Sequence, residues 1–180
     1  MQNTPAGVIV TERFDSPLGE MVVCASDKGV CLLEFIDGGR VEDEFDQLRQ
    51  LLGQQIVHGR NRHSEQAIQE IDEYFAGRRK VFDVALQMPG TPFQQAVWQA
   101  LLTVPYGQTT SYQAQSDKIG KPKAIRAVAA ANGANRISII VPCHRIIGKD
   151  GSLTGYGGGL PRKRWLISHE SSQDELILQP

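Results

Sequence analysis

The sequence predicts an α+β chain: a small N-terminal domain with a mixed or antiparallel β-sheet and helices over 1–89, then a mostly helical domain built around a helix-turn-helix over 90–170. Three observations carry this prediction. Apolar residues in the first third come in short runs broken by turn residues, the mark of strands. From Thr91 onward they recur every three or four residues, the mark of helices. Charge divides at the same place, with 9 Lys+Arg against 15 Asp+Glu in 1–89 and 10 against 5 in 90–180, although the whole chain carries only −1. A basic half beside an acidic half points to a polyanionic partner, or simply to two differently solvated surfaces.

Taken in order, Val8–Phe14, Glu20–Ser26 and Val30–Phe35 are expected strands, joined by turns at Ser16-Pro17-Leu18-Gly19 and Asp27-Lys28-Gly29. Val41, Phe45, Leu48 and Leu52 at helical spacing predict an amphipathic helix over 40–52. Ser64 is the expected N-cap of a second helix carrying Ile68, Ile71 and Phe75, with Gly77 ending it. Basic, Pro- and Gly-containing sequence follows, and the domain boundary falls near Met88-Pro89-Gly90. Thr91 then caps a helix with Pro92 in its first turn and Gln94 completing a capping box. Phe93, Val97 and Leu101 form its face, and Pro105-Tyr106-Gly107 breaks it. Short helices over 111–118 and 122–131, separated by Ile119-Gly120-Lys121-Pro122, give the helix-turn-helix. A last helix opens at Pro161, and 171–180 is expected to be a tail.

At 180 residues the chain can bury a proper core. No run is long and apolar enough to cross a bilayer, and the N-terminus lacks the basic and apolar segments of a secretory signal. Three cysteines without a disulfide-like spacing suit a reducing compartment, so a cytoplasmic location is expected.

The chemistry is concentrated at Val141-Pro142-Cys143-His144-Arg145, after the apolar run Ile137–Ile140, where a strand is expected to end. A thiol needs local activation at neutral pH, and His144 offers a proton acceptor. Neighbours on an extended strand point to opposite faces, so contact between Cys143 and His144 is either direct or through a water. Glu170 is the candidate to orient the imidazole, unless it is simply a solvated glutamate. On the second helix of the pair, Ile125 and Val128 are expected to face the core, while Ala124, Ala127 and Ala131 form a strip that lets a backbone approach a partner closely. Polar side chains for reading base edges are nearly absent there, and the cations are Lys121, Lys123 and Arg126. That suits a helix set in a minor groove or on the DNA backbone, with Arg126 filling the gap left by an extruded base; alanines packing another helix are the alternative. Gly155-Tyr156-Gly157-Gly158-Gly159 is neither a dinucleotide fingerprint nor a Walker loop, and suits the wall of a flat pocket with Tyr156 as its lid.

Together these residues closely resemble the O6-alkylguanine-DNA alkyltransferase family, the methylated-DNA–protein-cysteine methyltransferases. The match comprises Ile-Val-Pro-Cys-His-Arg-Ile-Ile at 140–147, the glycine run through Leu160, Lys163 through Glu170, Thr91-Pro92-Phe93-Gln94, Val104-Pro105-Tyr106-Gly107, Ser111-Tyr112 and Arg126 through Gly133. The resemblance implies a ribonuclease H-like first domain and a winged helix-turn-helix-like second one that binds DNA and carries the catalytic site. It implies that Cys143 accepts the alkyl group of O6-alkylguanine irreversibly in a single turnover, with O4-alkylthymine left open as a second substrate. His144 would draw off the thiol proton through a water, Glu170 would hold His144, and Asn135 would brace the turn. Tyr112 would hydrogen-bond the flipped guanine, the carbonyls of Cys143 and Ile146 would accept from its amino group, and N–H groups around Tyr156 and Gly157 would face O6. Arg126, Ala124, Ala127, Lys121 and Lys123 would meet the DNA.

The implied partner is double-stranded DNA containing O6-alkylguanine, bound by a monomer with cooperativity left open, and no membrane, metal or cofactor enters the scheme. Gly157 stands where some relatives carry serine, which leaves only the backbone donor and could widen the pocket. Cys24, Cys31, His58 and His63 match no standard zinc spacing. Rival readings fare worse on the residues. A non-catalytic damage binder lacks the nucleophile that Cys143 supplies, a helix-turn-helix regulator needs base-reading side chains on 122–132, and a thiol hydrolase would need no DNA.

Overall fold

The computed structural model describes residues 7–178, with side chains through Ser171. They fall into two units that divide between Pro89 and Gly90. In the first unit, Val8–Ser16 (β1), Gly19–Ser26 (β2) and Gly29–Phe35 (β3) pair antiparallel in sequence order. Ser16 closes the first turn, its hydroxyl donating to the Gly19 carbonyl (2.6 Å) and accepting from the Leu18 N–H (3.2 Å). A fourth strand, Gln55–His58 (β4), runs parallel to β1, so the sheet is mixed with order β3-β2-β1-β4. Four residues are too few to display an alternation, which is why the sequence pattern did not reveal β4.

The helix Val41–Leu52 (α1) covers one face of this sheet. Fully buried Leu48, with Val41, Phe45 and Leu52, packs against Ile9, Val22, Cys24 and Leu32. Strand alternation turns Met21, Val23 and Ala25 to the opposite face. The helix Arg62–Phe75 (α2) contacts β1, β2 and β3 and buries Ala67, Ile71 and Tyr74. Cover on both faces explains why β3 and β2 from Met21 onward are buried continuously instead of alternately.

The start of α2 differs from expectation. Asn61, not Ser64, is its N-cap: the Asn61 side chain accepts from the N–H groups of His63 and Ser64, both at 3.0 Å. Ser64 reciprocates by accepting from the Asn61 N–H at 2.9 Å, so two orphan donors are satisfied and the helix begins earlier. Gly77 ends α2 in a left-handed conformation (φ 77°), as its position predicts. Opposite Cys24 and Ala25 the register slips by one, making Cys31 a bulge residue. Both cysteines are buried, and burial pushes the Cys24 thiol well up from its ordinary value. Among the described residues, no three His, Cys, Asp or Glu side chains converge as metal ligands.

The second unit opens with Pro92–Leu102 (α3), whose capping box is the predicted one: Thr91 accepts from the Gln94 N–H (3.1 Å) and Gln94 from the Thr91 N–H (3.0 Å). Val97, Trp98 and Leu101 are buried, and Trp98 donates from its indole N–H to the Ala131 carbonyl (2.9 Å). Thr110–Ser111 (β5) leads directly into Tyr112–Lys118 (α4), capped by Ser111. The partner helix of the helix-turn-helix is Ile125–Gly133 (α5), three residues later than expected, because Lys121–Ala124 forms a turn closed by the Ala124 N–H on the Lys121 carbonyl (3.0 Å). A reciprocal amide pair, Gln115 with Asn132 at 2.8 Å in both directions, buries the junction of α4 and α5. Ile146–Ile147 (β6) pairs parallel with β5, and the final helix is Leu160–Leu178 (α6). It enters the stretch expected to be a tail, since no Gly or Pro interrupts 171–178; Gln179 and Pro180 lie outside the described residues. No described helix is long and apolar enough to cross a membrane.

Candidate active site

The pairing of β5 with β6 assembles the site. Cys143–Arg145 stands immediately before β6 and Tyr112 immediately after β5, so the register Thr110–Ile146 and Ser111–Ile147 brings these two parts of the chain side by side. The expected strand ahead of Cys143 is absent: residues 138–140 form a turn, in which Ile139 adopts φ 71°, the one non-glycine positive φ among the described residues. A β-branched residue in that region is strained, and here it is held by its surroundings. Asn135 is the brace. Its side-chain amide donates to the Val141 carbonyl (2.9 Å) and to Sγ of Cys143 (3.4 Å), and its Oδ1 accepts from the Ile137 N–H (2.9 Å).

Pro142, at φ −84° and ψ 63°, then makes an inverse γ-turn closed by the Cys143 N–H on the Val141 carbonyl (2.8 Å). A single 3-10 turn, Cys143–Arg145, follows. Three residues per turn fan consecutive side chains about 120° apart, so Cys143 and His144 diverge without lying on opposite strand faces. Cys143 is half-buried, whereas His144 is wholly buried.

Helix α6 supplies the partners. Lys163, Leu166 and Glu170 recur at helical spacing and are all buried, so the inward stripe of α6 carries two charges. Nε2 of His144 lies 2.7 Å from Oε2 of Glu170. Arg145 donates to the same carboxylate from Nε (2.8 Å) and from its second terminal nitrogen (3.0 Å), and its remaining arm donates to the Val104 carbonyl (2.7 Å). Lys163 donates to the carbonyls of Thr154 (2.9 Å) and Gly155 (3.3 Å), tying down the start of the glycine-rich loop. Sequence reasoning assigned no role to Arg145 or Lys163; the signal available was a pair of cations in a stretch where a solvated surface was the default.

Burial alone pushes the Glu170 carboxyl up, but the hydrogen bonds from His144 and the charge of Arg145 outweigh it and hold the group down at about 2. Burial is also the main influence on His144 and lowers its pKa, with Glu170 pulling the other way. Burial likewise lowers Lys163. The arrangement is thus an ionised Glu170 beside a neutral His144. An ionised carboxylate only accepts hydrogen bonds, so Nε2 carries the imidazole proton and Nδ1 presents its lone pair. Nδ1 is buried and makes no hydrogen bond to the described residues.

Cys143 opens into a cavity of about 410 Å³ lined by Tyr112, Arg126, Asn132, Thr154, Tyr156 and Gly157, among others. Arg126, on the first turn of α5, is exposed. Ile125, expected in the core, is 38% exposed and lines the cavity, while Ala131, expected on the outer alanine strip, is buried, its carbonyl accepting from the Trp98 indole. Ala127, Lys121 and Lys123 are exposed and Ala124 is half-buried. Tyr112 donates its hydroxyl to the Thr154 carbonyl (3.0 Å), so the phenol is already engaged at the loop. Ile146 is buried and its N–H donates to the Cys143 carbonyl, leaving that carbonyl one further lone pair.

Two family models match the chain. The 6-O-methylguanine DNA methyltransferase ribonuclease-like domain covers 9–88, and the DNA binding domain of the same protein covers 92–172. A methylated-DNA–protein-cysteine methyltransferase of Mycobacterium tuberculosis is 58% identical over 107 residues, which is 59% of this chain and 65% of that protein. The Salmonella typhimurium protein of the same name is 41% identical over 172 residues, covering 90% of this chain and 95% of the relative. Among solved structures, the M. tuberculosis O6-methylguanine methyltransferase superposes with a TM-score of 0.77 at 40% identity, covering 96% of this chain and all of that one. A structure of M. tuberculosis OGT in complex with DNA gives 0.78 at 40% identity, covering 94% and 99%. The chain belongs to the 6-O-methylguanine DNA methyltransferase family.

Proposed function

We propose that this protein repairs DNA by direct reversal, moving the alkyl group of O6-alkylguanine in double-stranded DNA onto Cys143 in one irreversible turnover. The observation that carries this reading is the position of Cys143. It is the reachable end of an otherwise buried array of His144, Glu170 and Arg145, and it opens into a cavity shared with Tyr112 and Arg126.

A base atom inside a duplex cannot meet a thiol, so the nucleotide must be extruded into the cavity. Arg126 fills the vacated stack, a role supported by its exposure on the first turn of α5 next to exposed Lys121 and Lys123. Ala124 and Ala127 allow close approach of α5 to the duplex. The thiol proton passes through a water to Nδ1 of His144, and the Asn135 amide, 3.4 Å from Sγ, stabilises the charge that develops there. A sulfur lone pair then forms the S–C bond while the C–O6 pair departs with guanine. The guanine anion gains one proton from the Tyr112 hydroxyl, released from Thr154; the tyrosinate regains a proton from solvent as the His144 imidazolium gives up the one taken from the thiol. Carbonyls of Cys143 and Ile146 are assigned to the guanine amino group, and N–H groups at Tyr156 and Gly157 to O6. Nothing in these steps regenerates the thiol. Residues 1–89 and 90–170 act as separate domains of a monomer, the second carrying the chemistry.

Intact mass after incubation with an oligonucleotide containing O6-methylguanine tests the proposal. The expected result is a gain of one methylene per molecule, mapped to Cys143 and absent in Cys143→Ala, which still binds DNA. Tight binding with no gain would instead make the chain a damage-binding protein and overturn the assignment of the nucleophile.

A further inference from the structure

We propose that Arg145 is a positioning residue that keeps His144 a neutral base, because its fork on Glu170 stops the carboxylate from drawing a proton onto the imidazole. This rests on the reading of Cys143 as the alkyl acceptor. An isolated buried carboxylate 2.7 Å from an imidazole favours the imidazolium, since an opposite charge at that distance stabilises the charged form. An imidazolium carries hydrogen on both nitrogens and cannot take the thiol proton. A Glu–His pair therefore pulls the histidine toward the wrong state for chemistry at neutral pH, against the burial that opposes its charge.

The guanidinium changes that balance. Arg145 meets both oxygens of Glu170, at 2.8 and 3.0 Å, and arginine does not release its proton. The anion is already compensated, so His144 need supply only one N–H. The guanidinium is itself immobilised by its third contact, 2.7 Å to the Val104 carbonyl, and by the Tyr106 ring 5.7 Å from its centre. Arg145 thus ties the loop after α3 to α6 through the catalytic turn.

The groups that face His144 are Glu170 and Lys163 from α6, Arg145 and Cys143 on its own turn, and the edge-on ring of Tyr156 at 6.5 Å. One anion favours protonation, while two cations and burial oppose it. Arg145 is the cation in direct contact with the anion, so its removal shifts the balance most.

The test is the pH dependence of the transfer rate constant for the full chain, its Arg145→Gln variant and its Arg145→Lys variant, with an O6-methylguanine oligonucleotide as substrate. For Arg145→Gln the acid limb moves up by about one pH unit or more, giving roughly tenfold slower transfer below the limb and convergence with the parent at high pH. Arg145→Lys keeps the charge and restores the limb toward the parent. A loss in Arg145→Gln that is the same at every pH would reduce Arg145 to a structural tie and overturn the proposal. Nitrogen-15 NMR titration of His144 in the unaltered protein and in Arg145→Lys tests the premise independently, including where Arg145→Gln does not fold. The expected state at pH 7 is neutral with the proton on Nε2, and an imidazolium or an Nδ1–H tautomer overturns the proposal. Absence of alkyl transfer by the unaltered protein would instead sink the reading of Cys143, and the NMR result would still settle the state of His144.

Discussion

Replacing Asn135 with Asp separates the bracing of the active-site turn from its electrostatics. The two side chains are nearly the same size, and Oδ1 of Asp can still accept from the Ile137 N–H, as Asn135 does at 2.9 Å. What changes is the other terminus, where a donor 2.9 Å from the Val141 carbonyl and 3.4 Å from Sγ of Cys143 becomes an acceptor. A hydrogen bond to a charged group contributes about 1.5–3 kcal/mol. Losing it where the thiolate develops slows transfer by about ten- to a hundredfold at 1.36 kcal/mol per decade. Stability falls as well, because a buried acceptor is set against the Val141 carbonyl, which keeps only the Cys143 N–H as donor, at a cost of about 1–3 kcal/mol. The assays are rapid-quench measurement of methyl transfer from an O6-methylguanine oligonucleotide and urea unfolding of the same samples. A variant that loses stability yet transfers at the parent rate would show that the amide only braces the turn.

Two further outcomes follow from packing and from linkage. A Cβ built on Gly90 would lie 2.7 Å from the ring of Trp98, which is fixed by its bond to Ala131, so Gly90→Ala lowers stability by about 1–3 kcal/mol in a thermal melt. Acid should destabilise the fold in two stages. His144 has a lowered pKa when folded, so the unfolded chain binds its proton first and stability starts to fall as pH drops below about 6.5. Glu170 drops from an ordinary 4.5 to about 2, so its contribution is complete above 4.5 and disappears between 4.5 and 2, a change of about 3 kcal/mol. Urea midpoints measured across this range should decline in both windows for the parent, and Glu170→Gln should lack the lower one.

Much of the fold was legible because its signals are local. The Thr91–Gln94 capping box and the stripe of Val41, Phe45, Leu48 and Leu52 each occupy a few residues, and both stand in the structure as read. The start of α2 was misplaced because Asn61 and Ser64 are both good caps, and only the reciprocal bonds decide between them. Strand β4 was missed because its partner β1 lies 47 residues earlier (Gln55 beside Val8) and its own four residues carry little pattern. The strand expected ahead of Cys143 failed for a tertiary reason: the apolar run Ile137–Ile140 is buried as a turn bonded to Asn135 rather than as an extended segment.

By itself the sequence determined that a thiol and an imidazole stand together in the basic half, after a helix-turn-helix poor in base-reading side chains. Its motifs also resembled closely the one family to which the chain belongs. Only the tertiary structure decided which charges act together. Glu170, Arg145 and Lys163 are separated in sequence or adjacent to other cations, and nothing in their spacing distinguishes a solvated charge from a buried one. Burial multiplies the strength of each contact and makes an unpaired charge too costly to keep. The state of His144 is therefore a property of the packed site, written in distances that no single segment of the chain contains.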